Sequence, residues 1–205
     1  MRALPRILTL GAILSLGLLF ILPLWRITLT APQYPEGVVM LIWLNRLSGQ
    51  LDLINGLNHY IGMRPIREEN FPEFSFMPWL IGGLILLGIL AVVVNRRWLY
   101  ATWLALFAAL TIVGLADFYR WGYEYGHNLD PNAPIKVPGM AYQPPLIGSK
   151  QLLNFTAYSY PDAGGCIAFG SFLLVAATFT GECIVARRRG KACTAHIVRE
   201  AAPVA

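Results

Sequence analysis

Four stretches of this chain are long and apolar enough to cross a lipid bilayer, and that constrains its fold more than any other feature. The hydrocarbon slab is about 30 Å thick and a helix rises about 1.5 Å per residue, so a span needs about 20 mainly apolar residues. The qualifying stretches run from Ile7 to Trp25, from about Met77 to Val94, from Leu99 to about Tyr119, and from about Gly165 to Ala186. Composition agrees: 13% of the 205 residues are charged and 56% are apolar, whereas a soluble domain carries about 25% charge. A water-soluble globule and a disordered chain are both excluded, the latter because disorder needs low hydrophobicity.

The first stretch follows Arg2 and Arg6 and so resembles a secretory signal. Its apolar run exceeds the usual 7 to 15 residues, and Pro23, Leu24, Trp25 and Arg26 follow it rather than a small-residue cleavage site. It reads as a retained anchor.

Lys and Arg near the ends of spans stay on the cytoplasmic side. Arg2 and Arg6 precede the first span, Arg96 and Arg97 sit between the second and third, and Arg187, Arg188, Arg189 and Lys191 follow the fourth. With four alternating spans all three clusters fall on one side. The expected placement is therefore multi-pass in a membrane, with both termini cytoplasmic. The two long connections, 26–76 and 120–164, then face outward. They carry seven basic residues against eight acids. The net charge of +5 is thus a topology signal and not a nucleic-acid surface.

Apolar residues from Glu36 to Ile61 recur mostly at spacings of three and four, which predicts amphipathic helix broken near Gly49 and Gly56. The stretch from Asn128 to Gly165 holds Pro131, Pro134, Pro138, Pro144, Pro145 and Pro161 among many aromatic and apolar residues, which predicts an ordered loop. The expected fold class is an all-α membrane protein, a single membrane domain over 1–205, in which amphipathic helices and a Pro-rich loop form an extracytoplasmic cap.

No Ser-His-Asp arrangement, phosphate loop, CxxC or HExxH is present, and a non-enzymatic role is expected. Cys166 and Cys183 lie near opposite ends of the fourth span, about 25 Å apart at the helical rise, too far to pair. Cys193 and His196 in the tail are too few ligands for a site. Asp117, Arg120 and Glu124 read as an interfacial charge ladder, and Glu182 is expected to reach the Arg187, Arg188 and Arg189 cluster. Gly82, Gly83 and Gly88, and Gly165, Ala168, Gly170, Ser171, Ala176 and Ala177, suit close helix packing.

Histidine and methionine are the more informative residues. Apart from the initiator, Met40, Met63, Met77 and Met140 all fall in an outer segment or at its membrane edge, as do His59 and His127. Thioether and imidazole together favour Cu(I). His59 and Met63 share a face if their turn is helical, although Gly62 weakens that premise, and Met140 follows His127 by 13 residues within the Pro-rich loop. The candidate metal ligands are His59, Met63, His127 and Met140. Haem held by His59 and His127, or zinc held by His59, His127, Glu124 or Asp130, are the competing metal readings. The plain alternative is that these residues are polar edges and apolar anchors.

Two strings carry a resemblance: Leu57-Asn58-His59-Tyr60-Ile61-Gly62-Met63, and the run from Tyr125-Gly126-His127-Asn128-Leu129-Asp130-Pro131 through Val137-Pro138-Gly139-Met140 to Gln143-Pro144-Pro145-Leu146-Ile147-Gly148. They resemble small bacterial inner-membrane proteins associated with copper handling and nitrous-oxide-reductase maturation, over about 30 residues of the outer segments. The resemblance implies an accessory role in delivering or assembling copper outside the cytoplasm, with a periplasmic copper enzyme or copper chaperone as partner beside the lipid bilayer. Two further readings stand next to it. One is a metal-free structural or assembly subunit of a membrane complex; the other is a small permease that works as a homo-oligomer.

Overall fold

The computed structural model describes the backbone of residues 1–137 and 139–200, and the side chains of 1–137 and 139–188. Pro138 and the side chains of Arg189, Lys191, Cys193 and His196 lie outside the described residues.

Four helices are long and apolar enough to cross a membrane. These are Ala3–Phe20, Glu73–Val94, Arg97–His127 and Ala163–Arg188. The first comprises α1 (Ala3–Ser15) and a 3-10 continuation (Leu16–Phe20); the others are α3 (Glu73–Val94), α4 (Arg97–His127) and the start of α5 (Ala163–Glu200). α1 packs against α5 and α3, and α4 against α3 and α5. Their shared core is filled by large side chains, with Ile13, Tyr100, Trp103 and Val175 each 1% exposed.

Polar groups in that core are paired inside the bundle, as a medium without water requires. The Trp103 indole N–H donates to the Leu84 carbonyl at 2.8 Å. Thr9 Oγ1 meets Thr178 Oγ1 at 2.9 Å and Ser15 Oγ meets Ser171 Oγ at 2.8 Å, tying α1 to α5. Gly88 lets three helices approach. A Cβ there would fall 2.8 Å from Ile13 Cγ2 and 2.8 Å from Trp103 Nε1.

One end of the bundle gathers the basic clusters. The Met1 amine donates to Asn95 Oδ1 at 2.7 Å, in the turn between α3 and α4, and Arg6 donates to the Val93 carbonyl at 3.2 Å. Glu182 pairs with Arg2 at 2.7 Å. Among the described residues Glu182 pairs with Arg2 and not with Arg187 or Arg188, because α1 runs alongside α5 and delivers Arg2 to the carboxylate; the Arg189 side chain lies outside the described residues.

The other end corrects the all-α expectation. It carries a five-stranded antiparallel sheet in the order β3-β2-β1-β5-β4, built from β1 (Trp25–Ala31), β2 (Tyr34–Ile42), β3 (Leu47–Gly49), β4 (Gly148–Leu152) and β5 (Phe155–Pro161). Only Leu51–Ile61 of the region read as amphipathic helix is helical, as α2. The reason lies in a second periodicity. Trp25, Ile27, Val38 and Met40 alternate with more polar or exposed neighbours, and these four turn inward onto Ile54 of α2 and Tyr125 of α4. β1 sits at the centre, pairing Trp25 with Ile42 on one side and with Pro161 on the other. The two outer segments of the chain thus meet in a single sheet. In β1 the Trp25 indole N–H donates to Ser159 Oγ at 2.8 Å, and the ring stands edge-on to Phe118 of α4 at 5.6 Å.

The Pro-rich loop shrinks to the stretch between His127 and Gly148, since 148–161 forms the β4–β5 hairpin. Asp162 joins this hairpin to α5. Its carboxylate accepts from the Ala163 N–H at 2.7 Å and pairs with Arg26 of β1 at 2.7 Å.

Candidate metal-binding cavity

The structure brings His59 and Met63 together, but by a different route from a continuous helix. α2 ends in a left-handed residue, Gly62 at φ +79°. The Met63 N–H donates to the Asn58 carbonyl at 2.9 Å and the Gly62 N–H to the His59 carbonyl at 3.4 Å, the paired bonds of a Schellman ending. The residue after the glycine commonly packs back on the helix in this motif, and Met63 is half-buried against the sheet core. Packing alone thus explains part of why methionine stands there.

Both residues nevertheless line one open cavity of about 720 Å3. Its far wall is the segment from Asn128 to Pro134. That segment is seated on the end of α2 by backbone bonds: the Asp130 N–H donates to the Gly62 carbonyl at 2.8 Å and the Ile135 N–H to the Tyr60 carbonyl at 2.9 Å. Gly62 permits the seating. A Cβ there would lie 2.8 Å from Ala133 Cβ and 2.9 Å from the Asp130 carbonyl oxygen.

His59 is exposed, and neither ring nitrogen has a hydrogen-bond partner among the described residues, so its lone pair is available. His127 ends α4 one residue before the cavity wall begins. Its Nδ1 lies 2.9 Å from the Tyr123 carbonyl, and the ring stacks on Tyr123 at 3.9 Å. A carbonyl can only accept, so Nδ1 carries the proton and Nε2 is left with the free lone pair; metal-binding histidines are commonly held this way. His127 and Met140 are not among the residues lining the cavity. Met140 closes a turn with its N–H on the Val137 carbonyl at 3.1 Å and is half-buried. Met40 is buried in the sheet core, and Met77 packs against the helix bundle.

The competing zinc reading finds no cluster. Among the described residues, no group of three or more His, Cys, Asp and Glu side chains stands close enough to hold a metal ion. Asp130 is turned to its own loop, its Oδ1 accepting from the Asn132 N–H at 2.8 Å. Glu124 faces Arg64 at 3.7 Å, while Arg120 reaches Asp117 at 3.1 Å as the charge-ladder reading expects. An imidazole–thioether pair is a different donor set, and its softness suits Cu(I) better than zinc.

Sequence reasoning missed two residues that fix the chain around α2 and β3. Asn55 clamps the chain after it, accepting from the Ile66 N–H at 2.7 Å and donating to the Ile66 carbonyl at 2.9 Å. Glu68 accepts from the Leu47 N–H at 2.9 Å, fixing β3. Neither has a sequence signature, since each satisfies backbone groups that become neighbours only after folding. Gly62 did have one, a glycine directly after an apolar helical run.

No protein-family model matches this chain, and no curated protein matches it at a significant level.

Proposed function

We propose that this is an inner-membrane accessory protein for copper handling or copper-enzyme maturation, and that the sheet layer is an extracytoplasmic cap that takes up Cu(I). The observation that carries the reading is the cavity that His59 and Met63 both line, which offers an imidazole and a thioether to one ion. His127, its Nδ1 committed to the Tyr123 carbonyl, and Met140 on the adjoining loop lie outside the cavity lining and would have to move toward it to serve as the third and fourth donors. Copper would supply the cargo. The protein's own part is to present soft, exchangeable donors, and thioethers bind Cu(I) with no proton to lose. The gathering of Arg2, Arg6, Arg96 and Arg97 at the opposite end supports placing that end in the cytoplasm. The test is a Cu(I) competition titration of the detergent-purified protein against a chelator, repeated with His59→Ala/Met63→Ala. The reading expects a bound ion that the double substitution abolishes; no binding, or binding unchanged by it, refutes the reading.

A metal-free assembly subunit is favoured by a separate observation. The outer layer exposes Tyr60, Ile135, Ile147 and Tyr160 at 46–56% of their free surface, a surface suited to a partner. Co-purification of a stoichiometric partner with a metal-free protein would select it. The permease reading gains no support from a bundle whose centre is occupied by Trp103 and Tyr100.

A further inference from the structure

A second cavity, of about 290 Å3, opens between α3, α4 and the chain that precedes α3. Its polar rim is formed by Arg64, Glu73, Asp117, Arg120 and Glu124, and its apolar wall by Phe71, Trp121 and Tyr125. The helix lengths fix its level in the membrane. From Arg97 to Asp117 is 20 residues of rise, about 30 Å, which is the thickness of the hydrocarbon. Glu73 begins α3, whose 22 residues span about 33 Å. Both carboxylates therefore stand where the hydrocarbon gives way to headgroups.

The cavity offers complementary sites for both signs of charge. Arg120 is 77% exposed and holds Asp117 by one contact at 3.1 Å; Arg64 is 61% exposed and 3.7 Å from Glu124. A guanidinium has five N–H donors, so both retain free ones for a phosphate. The Trp121 indole N–H is buried with no partner among the described residues. On the other side, Glu73 has no ion-pair partner among the described residues. It borders an aromatic wall in which Phe71 and Trp121 lie 5.1 Å apart and Trp121 and Tyr125 4.8 Å apart. Carboxylate beside aromatic faces is the chemistry that receives an ammonium group. The five charged groups sum to one net negative charge, which disfavours a headgroup carrying only an anion.

We propose that this cavity binds the headgroup of a zwitterionic phospholipid of the phosphoethanolamine type, its phosphate on Arg64 and Arg120 and its ammonium on Glu73 and the aromatic wall. The proposal stands apart from the copper reading and shares no donor with it. The test uses the full chain purified in detergent, incubated with equal amounts of phosphatidylethanolamine and phosphatidylglycerol, and weighed intact by native mass spectrometry. Wild-type protein retains phosphatidylethanolamine about two- to fivefold over phosphatidylglycerol, the ratio an exposed ammonium–aromatic contact supports. Glu73→Gln, equal in shape, lowers the ratio, because it removes the carboxylate from the ammonium site and brings the cavity's net charge to zero, and Arg120→Ala, at an exposed position, lowers retention of both lipids. Equal retention of the two lipids by wild-type protein, or a ratio that survives Glu73→Gln, overturns the proposal. Displacement of the lipid by an equal concentration of soluble glycerophosphoethanolamine overturns the assignment to a membrane lipid.

Discussion

Replacing Gly62 by alanine tests how the candidate metal cavity is held together. The residue's φ of +79° lies in the left-handed region, which costs a residue with a side chain about 1–2 kcal/mol. The new Cβ would also lie 2.8 Å from Ala133 Cβ, 2.9 Å from the Asp130 carbonyl oxygen and 3.0 Å from the Asp130 nitrogen. Two of those atoms are backbone, so the 128–134 segment has to move, which breaks the bond from the Asp130 N–H to the Gly62 carbonyl. Losing it adds about 0.5–1.5 kcal/mol. The sum is about 1.5–3.5 kcal/mol, or roughly a 10- to 300-fold rise in opening of that segment at tenfold per 1.4 kcal/mol. Amide hydrogen exchange reads this directly at Asp130 and Ile135, the two residues that donate to α2. Gly62→Asn tolerates the left-handed backbone but carries the same Cβ, so its exchange falls between wild type and Gly62→Ala. Unchanged exchange at Asp130 and Ile135 in Gly62→Ala would refute the seating of this segment on α2. The cavity would then lack its far wall.

Other sites give sharper or simpler outcomes. Asp162 is 14% exposed; burial alone would raise its pKa, but the Ala163 N–H and Arg26 outweigh that and hold the carboxyl below its ordinary value. A depressed carboxyl stabilises the fold fully above the unfolded value of about 3.9. Melting temperature in detergent should therefore fall as pH drops below about 4, and Asp162→Asn should flatten that decline while losing at most about 1 kcal/mol at neutral pH with the charge pair to the half-exposed Arg26. A wild-type decline that persists in Asp162→Asn would contradict the assignment. Gly88→Ala should destabilise the bundle by about 1–3 kcal/mol in denaturing-detergent titrations, because its Cβ meets Ile13 and the indole nitrogen of Trp103. Gly82→Ala and Gly83→Ala, with nothing within 4 Å of the added carbon, should be neutral, and equal effects at all three would show that the close approach is not as described.

The helices were legible in the sequence because a span declares itself by length: about 20 apolar residues in a row admit few other readings. The sheet was not, and Val38 to Leu57 shows why. Apolar residues there satisfy helical spacing and strand alternation at once, and the choice is made by partners the local pattern does not contain. β2 forms because Val38 and Met40 pair with Leu29 and Ile27 of β1, and β1 in turn is held by β5 from the far end of the chain. Ile27-Thr28-Leu29-Thr30-Ala31 does alternate, but it lies between the end of the first span at Trp25 and the helical spacing that begins at Glu36, and neither pattern assigns it to an element. The candidate site was legible as residue types and not as geometry. His59 and Met63 meet across a glycine-terminated turn rather than on a helix face, and the wall opposite them comes from Asn128 to Pro134, whose backbone donors find Gly62 and Tyr60 only in the folded chain.

Copper K-edge X-ray absorption on protein loaded with one equivalent of Cu(I) tests the central claim most directly, because it identifies the ligand atoms. The account predicts sulfur scatterers together with imidazole nitrogen, with the sulfur contribution reduced in Met63→Leu, a substitution close in volume that costs less than about 1.5 kcal/mol in packing and removes only that thioether. A shell of light atoms alone, a sulfur signal unchanged in Met63→Leu, or protein that retains no copper would contradict it.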